Sequence, residues 1–189
     1  QITADEPEAA PGAAGGLSYA FPSVMDGLAL TASYSPSNGN ADSSTAFGAV
    51  YTGVDGLTVT YAVGSDNKNA TSEADHTVMK ASYAYGPITV AYGSSEYDDA
   101  VASGDQETEA YSIAYTISDE LSISYGSEEL TFGVASASNV AAEFERVKIS
   151  YTAGGMTLTA SSATGDNIDY TTTATKDQEV WALGASFAF

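Results

Sequence analysis

The 189-residue chain contains no cysteine, one histidine, five proline residues, and only five lysine and arginine residues against 25 aspartate and glutamate. The absence of cysteine excludes disulfide scaffolds, thiolate metal centres and thiol catalysis. The single histidine, His76, excludes any site built on two imidazoles. A formal net charge of −20 argues against a nucleic-acid partner, because phosphate binding needs clustered Lys and Arg. No stretch approaches 18 uninterrupted apolar residues, so no transmembrane helix is expected. No signal-peptide pattern opens the sequence. Disorder is not expected despite the charge, since 43% of residues are hydrophobic and 13 are tyrosine. By composition alone the chain reads as a soluble acidic domain, and its residue pattern contradicts that reading.

Short segments alternate apolar residues with small or polar ones. They include Leu57-Thr58-Val59-Thr60-Tyr61-Ala62-Val63, Ile88-Thr89-Val90-Ala91-Tyr92, Leu121-Ser122-Ile123-Ser124-Tyr125 and Met156-Thr157-Leu158-Thr159-Ala160. Period two with β-branched and aromatic residues predicts strands. Each segment follows a tight turn rich in Gly, Pro, Asp or Ser, and each turn follows a strand ending in an aromatic residue. The first apolar residues after the turns, Leu28, Leu57, Ile88, Leu121 and Met156, are spaced by 29, 31, 33 and 35 residues. One repeat is therefore a strand, a long connection, a strand and a short turn. Eleven strands are predicted, at 17–21, 28–35, 45–52, 57–63, 77–85, 88–94, 108–117, 121–127, 144–152, 156–162 and 179–189. Residues 130–135 are a candidate hairpin extension. The long connections at 35–44, 64–76, 94–107, 127–143 and 161–178 are read as acidic loops at one end of the sheet.

The alternation gives each strand a bulky face and a small or polar face. In the last strand Trp181, Leu183, Ala185, Phe187 and Phe189 oppose Val180, Ala182, Gly184, Ser186 and Ala188. In a soluble sandwich the bulky face is the core. In a membrane barrel it meets lipid, and the small face lines a lumen. Periodicity alone does not choose between them. Aromatics recur just before the short turns, at Phe21, Tyr51, Tyr85, Tyr115, Tyr151 and Phe187, as an interfacial girdle requires. Trp181 is expected to be a further lipid-facing or interfacial anchor. Connection lengths are asymmetric, and charge is almost absent from the bulky faces apart from Glu109 and Glu145. These features favour an all-β, antiparallel transmembrane β-barrel.

The terminal Gly184-Ala185-Ser186-Phe187-Ala188-Phe189 resembles the closing strand of Gram-negative outer-membrane proteins. The repeated Tyr–turn–Leu/Ile-Thr-x-Thr/Ser-Tyr hairpins resemble those of proteobacterial general porins, over roughly residues 17–189. The resemblance implies an outer-membrane homotrimer that passes small hydrophilic solutes and ions by passive diffusion. It makes Phe189 the assembly signal and outer-membrane lipid and lipopolysaccharide the surroundings. Eleven strands are an odd number, whereas a barrel with both termini on one side needs an even one. Counting back from a sixteen-stranded barrel makes 17–21 the sixth strand. Residues 1–16 then become the end of the inward-folded constriction loop, and the five preceding strands lie outside this chain. Asp5, Glu6 and Glu8 give that loop an acidic character.

Three of the five basic residues, Lys80, Arg146 and Lys148, fall on the small face. They are candidates for the positive side of a transverse field in the lumen, with Asp5, Glu6 and Glu8 as the negative side. Solvated inward residues balancing loop acids are the simpler reading. No cofactor or metal is expected, as no D-x-[DN]-x-[DN]-G loop appears. No G-x-S-x-G elbow accompanies Asp75-His76, so an enzyme is not expected. A plugged or adhesive outer-membrane barrel with ligand-binding loops, a soluble acidic β-sandwich adhesin, and a smaller even-stranded barrel remain as alternatives.

Overall fold

The computed structural model describes residues 16–36, 43–69, 72–99, 104–133, 140–172 and 176–188. Asp5, Glu6, Glu8 and Phe189 lie outside the described residues. Eleven strands form one antiparallel sheet in simple sequence order: β1 (Leu17–Ala20), β2 (Leu28–Ser35), β3 (Ser44–Tyr51), β4 (Leu57–Asn69), β5 (Ser72–Tyr85), β6 (Ile88–Asp99), β7 (Gln106–Thr116), β8 (Leu121–Phe132), β9 (Ala142–Ala153), β10 (Met156–Asp166) and β11 (Gln178–Phe187). All eleven strands expected from the alternation are present. Among the described residues β1 pairs only with β2, and β11 only with β10, so the sheet has two edges.

The short turns are where the sequence places them. Gly154 and Gly155 both have positive φ, 58° and 79°, which suits a two-residue hairpin whose twist matches the strands it joins. The opposite end differs from expectation. Segments 64–76, 94–107, 127–143 and 161–178 were expected to be long loops. Instead the ladders of β4, β5, β6, β8 and β10 run on into them, pairing Asp66 with Ala74, Glu96 with Glu107 and Glu129 with Glu143. The alternation stops there because both faces become polar. The hydrogen-bond ladder needs only backbone groups, so pairing continues without it. Much of the acid assigned to loops therefore stands on strands.

The registers carry one face assignment across all eleven strands, because directly paired residues point the same way. Leu28, Tyr51, Val59, Ala81, Tyr92, Tyr111, Ser127 and Glu145 follow one another on the bulky face from β2 to β9. Thr31, Gly48, Ala62, Val78, Ser95 and Thr108 follow one another on the small face from β2 to β7.

Exposure is inverted relative to a soluble protein. Leu183 is 89% exposed, Trp181 74% and Tyr85 73%, all on the bulky face. The buried residues Ala74, Val78, Ala110, Ala142, Ser35, Ser95 and Thr108 all belong to the small face. Among the described residues no large side chain is fully buried. A sandwich would bury the large apolar side chains against a second sheet. Here a single sheet curls around its small residues and presents its large apolar ones outward, as a barrel wall in lipid does.

Candidate functional site: the small-residue face and its borders

The bulky face is bounded by aromatics at the short-turn end. Tyr51 pairs with Leu28 and Val59, Tyr85 with Ile88, Tyr115 with Ile88 and Ile123, Tyr151 with Leu121 and Leu158, and Phe187 with Met156. Phe21 follows β1 and its N–H donates to the Leu30 carbonyl at 2.9 Å. The Tyr151 hydroxyl donates to the turn carboxylate Glu120 at 3.3 Å, so the ring lies on the apolar face and its polar tip at the turn.

Trp181 is elsewhere. It pairs with Ser162, six residues up the strand from Phe187, and its indole N–H donates to Glu179 at 3.0 Å. It belongs to the opposite border, with Tyr92, Tyr111 and Tyr125. The Tyr92 hydroxyl donates to Glu109 at 2.9 Å, and the Tyr125 hydroxyl to Glu145 at 2.6 Å. The rings of Tyr92 and Tyr111 are 5.1 Å apart. Tyr111 is not among the aromatics that the sequence alone assigns to a border. The available signal was a mid-strand tyrosine with a glutamate two residues towards the loop end on its own or the neighbouring strand.

Beyond this border the bulky face is more acidic than the sequence suggested. Its registers place Asp75 opposite Asp98, Glu96 opposite Glu107, and Glu129 between Glu109 and Glu143. Among the described residues no three His, Asp or Glu side chains converge on a metal-sized site.

Lys80, Arg146 and Lys148 all stand on the small face. Lys80 on β5 pairs with Thr60 and Gly93. Arg146 and Lys148 are two residues apart on β9, four strands away from β5. Arg146 pairs with Gly126 and Ala163, and Lys148 with Ser124 and Ser161. The Arg146 guanidinium (Nη2) donates to Ser161 at 3.4 Å, so it leans along the strand towards the level of Lys148. The structure thus brings two of the three cations together and leaves Lys80 on a distant strand. The small partners leave an open groove of about 520 Å³ over β7–β10, lined by Glu128, Phe144, Arg146 and Lys148 among others.

The β10–β11 connection reaches this region. Asn167, Asp169 and Tyr170 adopt left-handed φ of 53°, 64° and 58°. The Tyr170 ring lies 5.6 Å from that of Phe132, a small-face residue at the end of β8, and the Val140 N–H donates to the Tyr170 carbonyl at 3.2 Å. Lys176 donates to Asp169 at 2.8 Å, and that hydrogen bond raises the lysine above its usual pKa.

The comparisons agree with this geometry. The sequence profile of the Gram-negative porins matches residues 3–143. No curated protein sequence matches the chain. Among solved structures it is similar to the outer-membrane expressed OmpT of Vibrio cholerae, with a TM-score of 0.63 and 14% identity over 91% of this chain and 64% of that one. It is also similar to OccK8 (OprE) of Pseudomonas aeruginosa, with a TM-score of 0.53 and 14% identity over 85% and 58% of the two chains. A BenF-like porin from Pseudomonas fluorescens Pf-5 gives a TM-score of 0.50 and 17% identity over 86% and 54%. The chain thus spans slightly less than two thirds of the first of these structures. The chain belongs to the Gram-negative porin family and is a protein of the bacterial outer membrane.

Proposed function

We propose that the eleven strands are part of the wall of a water-filled pore through which small hydrophilic solutes and ions diffuse passively, without bond chemistry. The observation that carries this reading is the inverted sheet. Most of its large apolar side chains face outward, while Ser, Thr, Ala, Gly and the cations Lys80, Arg146 and Lys148 share the other face. A face of short polar side chains leaves room for water, and fixed cations on it bias which solutes enter.

On this reading further strands close the barrel between the edges of β1 and β11, and a sixteen-stranded wall accommodates the odd count seen here. Residues 1–16 belong to a loop folded into the lumen. Asp5, Glu6 and Glu8 then face Lys80, Arg146 and Lys148 across the pore, giving a transverse field that favours dipolar solutes. The aromatic borders sit at the two membrane interfaces, and Phe189 serves as the assembly signal. The acidic belt beyond the upper border meets lipopolysaccharide phosphates through divalent cations, and the assembly is a homotrimer.

Reconstitution of the full-length protein into planar bilayers tests the central claim. The expected result is stepwise ohmic conductance, with swelling of proteoliposomes in small neutral sugars. A heat-modifiable barrel that inserts without conducting would instead be the plugged, adhesive alternative. Crosslinking in outer-membrane vesicles tests the trimer.

A further inference from the structure

The groove over β7–β10 holds more than charge. Phe144 lies on the same face as Arg146 and Lys148, two and four residues along β9 from them. Its register partners are Glu128 and Gly165. A Cβ at Gly165 would stand 3.0 Å from both the Phe144 ring and the Ile168 side chain. The absence of a side chain at 165 is therefore what lets the ring lie down over β10, with Ile168 of the following connection against the same spot. The groove thus carries one braced apolar wall on the same face as two cationic residues, Arg146 and Lys148.

We propose that this groove is a binding subsite for small monocarboxylates with an aromatic or comparably apolar body. It rests on the reading of the small face as a lumen. The carboxylate is held by the Arg146 guanidinium and the Lys148 ammonium, a charge-assisted arrangement. The apolar body lies against Phe144, where it displaces water from a surface with no other use for it. Glu128 adds one negative charge on the same face, while the carboxylate of Glu145, also at the groove, lies on the opposite face against the Tyr125 hydroxyl, so two cations and one carboxylate on the small face suit a single anionic charge. A groove of about 520 Å³ falls within the usual range for small-molecule sites. Wholly hydrophilic carboxylates gain only the electrostatic contact, and neutral aromatics only the apolar one.

The test is equilibrium binding to the detergent-solubilised full-length protein, run beside bilayer conductance. Three probes separate the contributions: phenylacetate, its neutral analogue 2-phenylethanol, and gluconate as a hydrophilic monocarboxylate. Phenylacetate is expected to bind about tenfold more tightly than 2-phenylethanol, as loss of one charge-assisted contact implies, and about tenfold more tightly than gluconate, as loss of the apolar contact implies. Arg146→Ala with Lys148→Ala should remove the preference over 2-phenylethanol. Phe144→Ala, or Phe144→Leu if the alanine variant does not fold, should reduce the preference over gluconate. Equal binding of all three probes by the wild-type protein overturns the site whether or not the protein conducts. Selective binding without conductance keeps the site and overturns the pore.

Discussion

The ring of Phe144 lies across Gly165, its register partner on the next strand, so closely that a methyl group at position 165 would stand 3.0 Å from the ring. Gly165→Ala is therefore expected to push Phe144 and Ile168 aside at a cost of about 1–3 kcal/mol, the usual range for overpacking. Combined with Phe144→Ala, the two losses should be clearly less than additive, because the second change removes the clash. Urea unfolding of the four proteins in lipid vesicles measures this, and strict additivity would contradict the contact.

Ile149 and Ser150 are neighbours on β9 that point to opposite faces, with Ile149 on the apolar band. Ile149→Lys should cost about 2–4 kcal/mol if that band faces hydrocarbon, whereas Ser150→Lys should fold almost normally. Heat-modifiable gel migration after refolding gives a first answer. Similar outcomes for the two variants would remove the case for an outward apolar face.

Arg146 and Lys148 place two positive charges on the small face. Replacing both by alanine should shift the zero-current potential in a salt gradient towards cation preference. Lys80→Ala alone should shift it in the same direction. An unchanged potential in the double variant would mean that these cations do not face the permeating ions.

Glu129 stands directly between Glu109 and Glu143 on neighbouring strands. Like charges directly opposed across a ladder are destabilising by a fraction of a kcal/mol per pair, roughly 0.2–1. Glu129→Gln is expected to raise the unfolding midpoint at low ionic strength, and the gain should shrink in high salt. A gain that persists in molar salt would have a cause other than repulsion.

The Tyr125 hydroxyl is 2.6 Å from the Glu145 carboxylate at the upper border of the apolar face. Tyr125→Phe should destabilise by about 0.5–1.5 kcal/mol, and the loss should vanish in a Glu145→Gln background if the bond to the ionised carboxylate is the cause. An equal loss in both backgrounds would assign the effect to packing.

The strand count, the strand order and the two faces were legible in the sequence. Period two, tight-turn residues and a regular repeat are local properties, and each strand pairs with its sequence neighbour. The place of Lys80, Arg146 and Lys148 on the small face was legible for the same reason, since parity along a strand decides the face. The reach of the strands at the loop end was not. There both faces are polar and the signal vanishes, while the backbone ladder that holds Glu96 to Glu107 leaves no mark on composition.

By itself, then, the amino-acid order determined which residues share a face, because that depends only on neighbours one and two positions away. The tertiary structure decided which side chains meet. It placed Trp181 and Phe187 at opposite borders of one strand, bonded Tyr92 to Glu109 and Tyr125 to Glu145, and laid Phe144 over Gly165 beside two cations. Those contacts depend on the register between strands, which turn geometry and backbone hydrogen bonds set jointly and no single strand encodes.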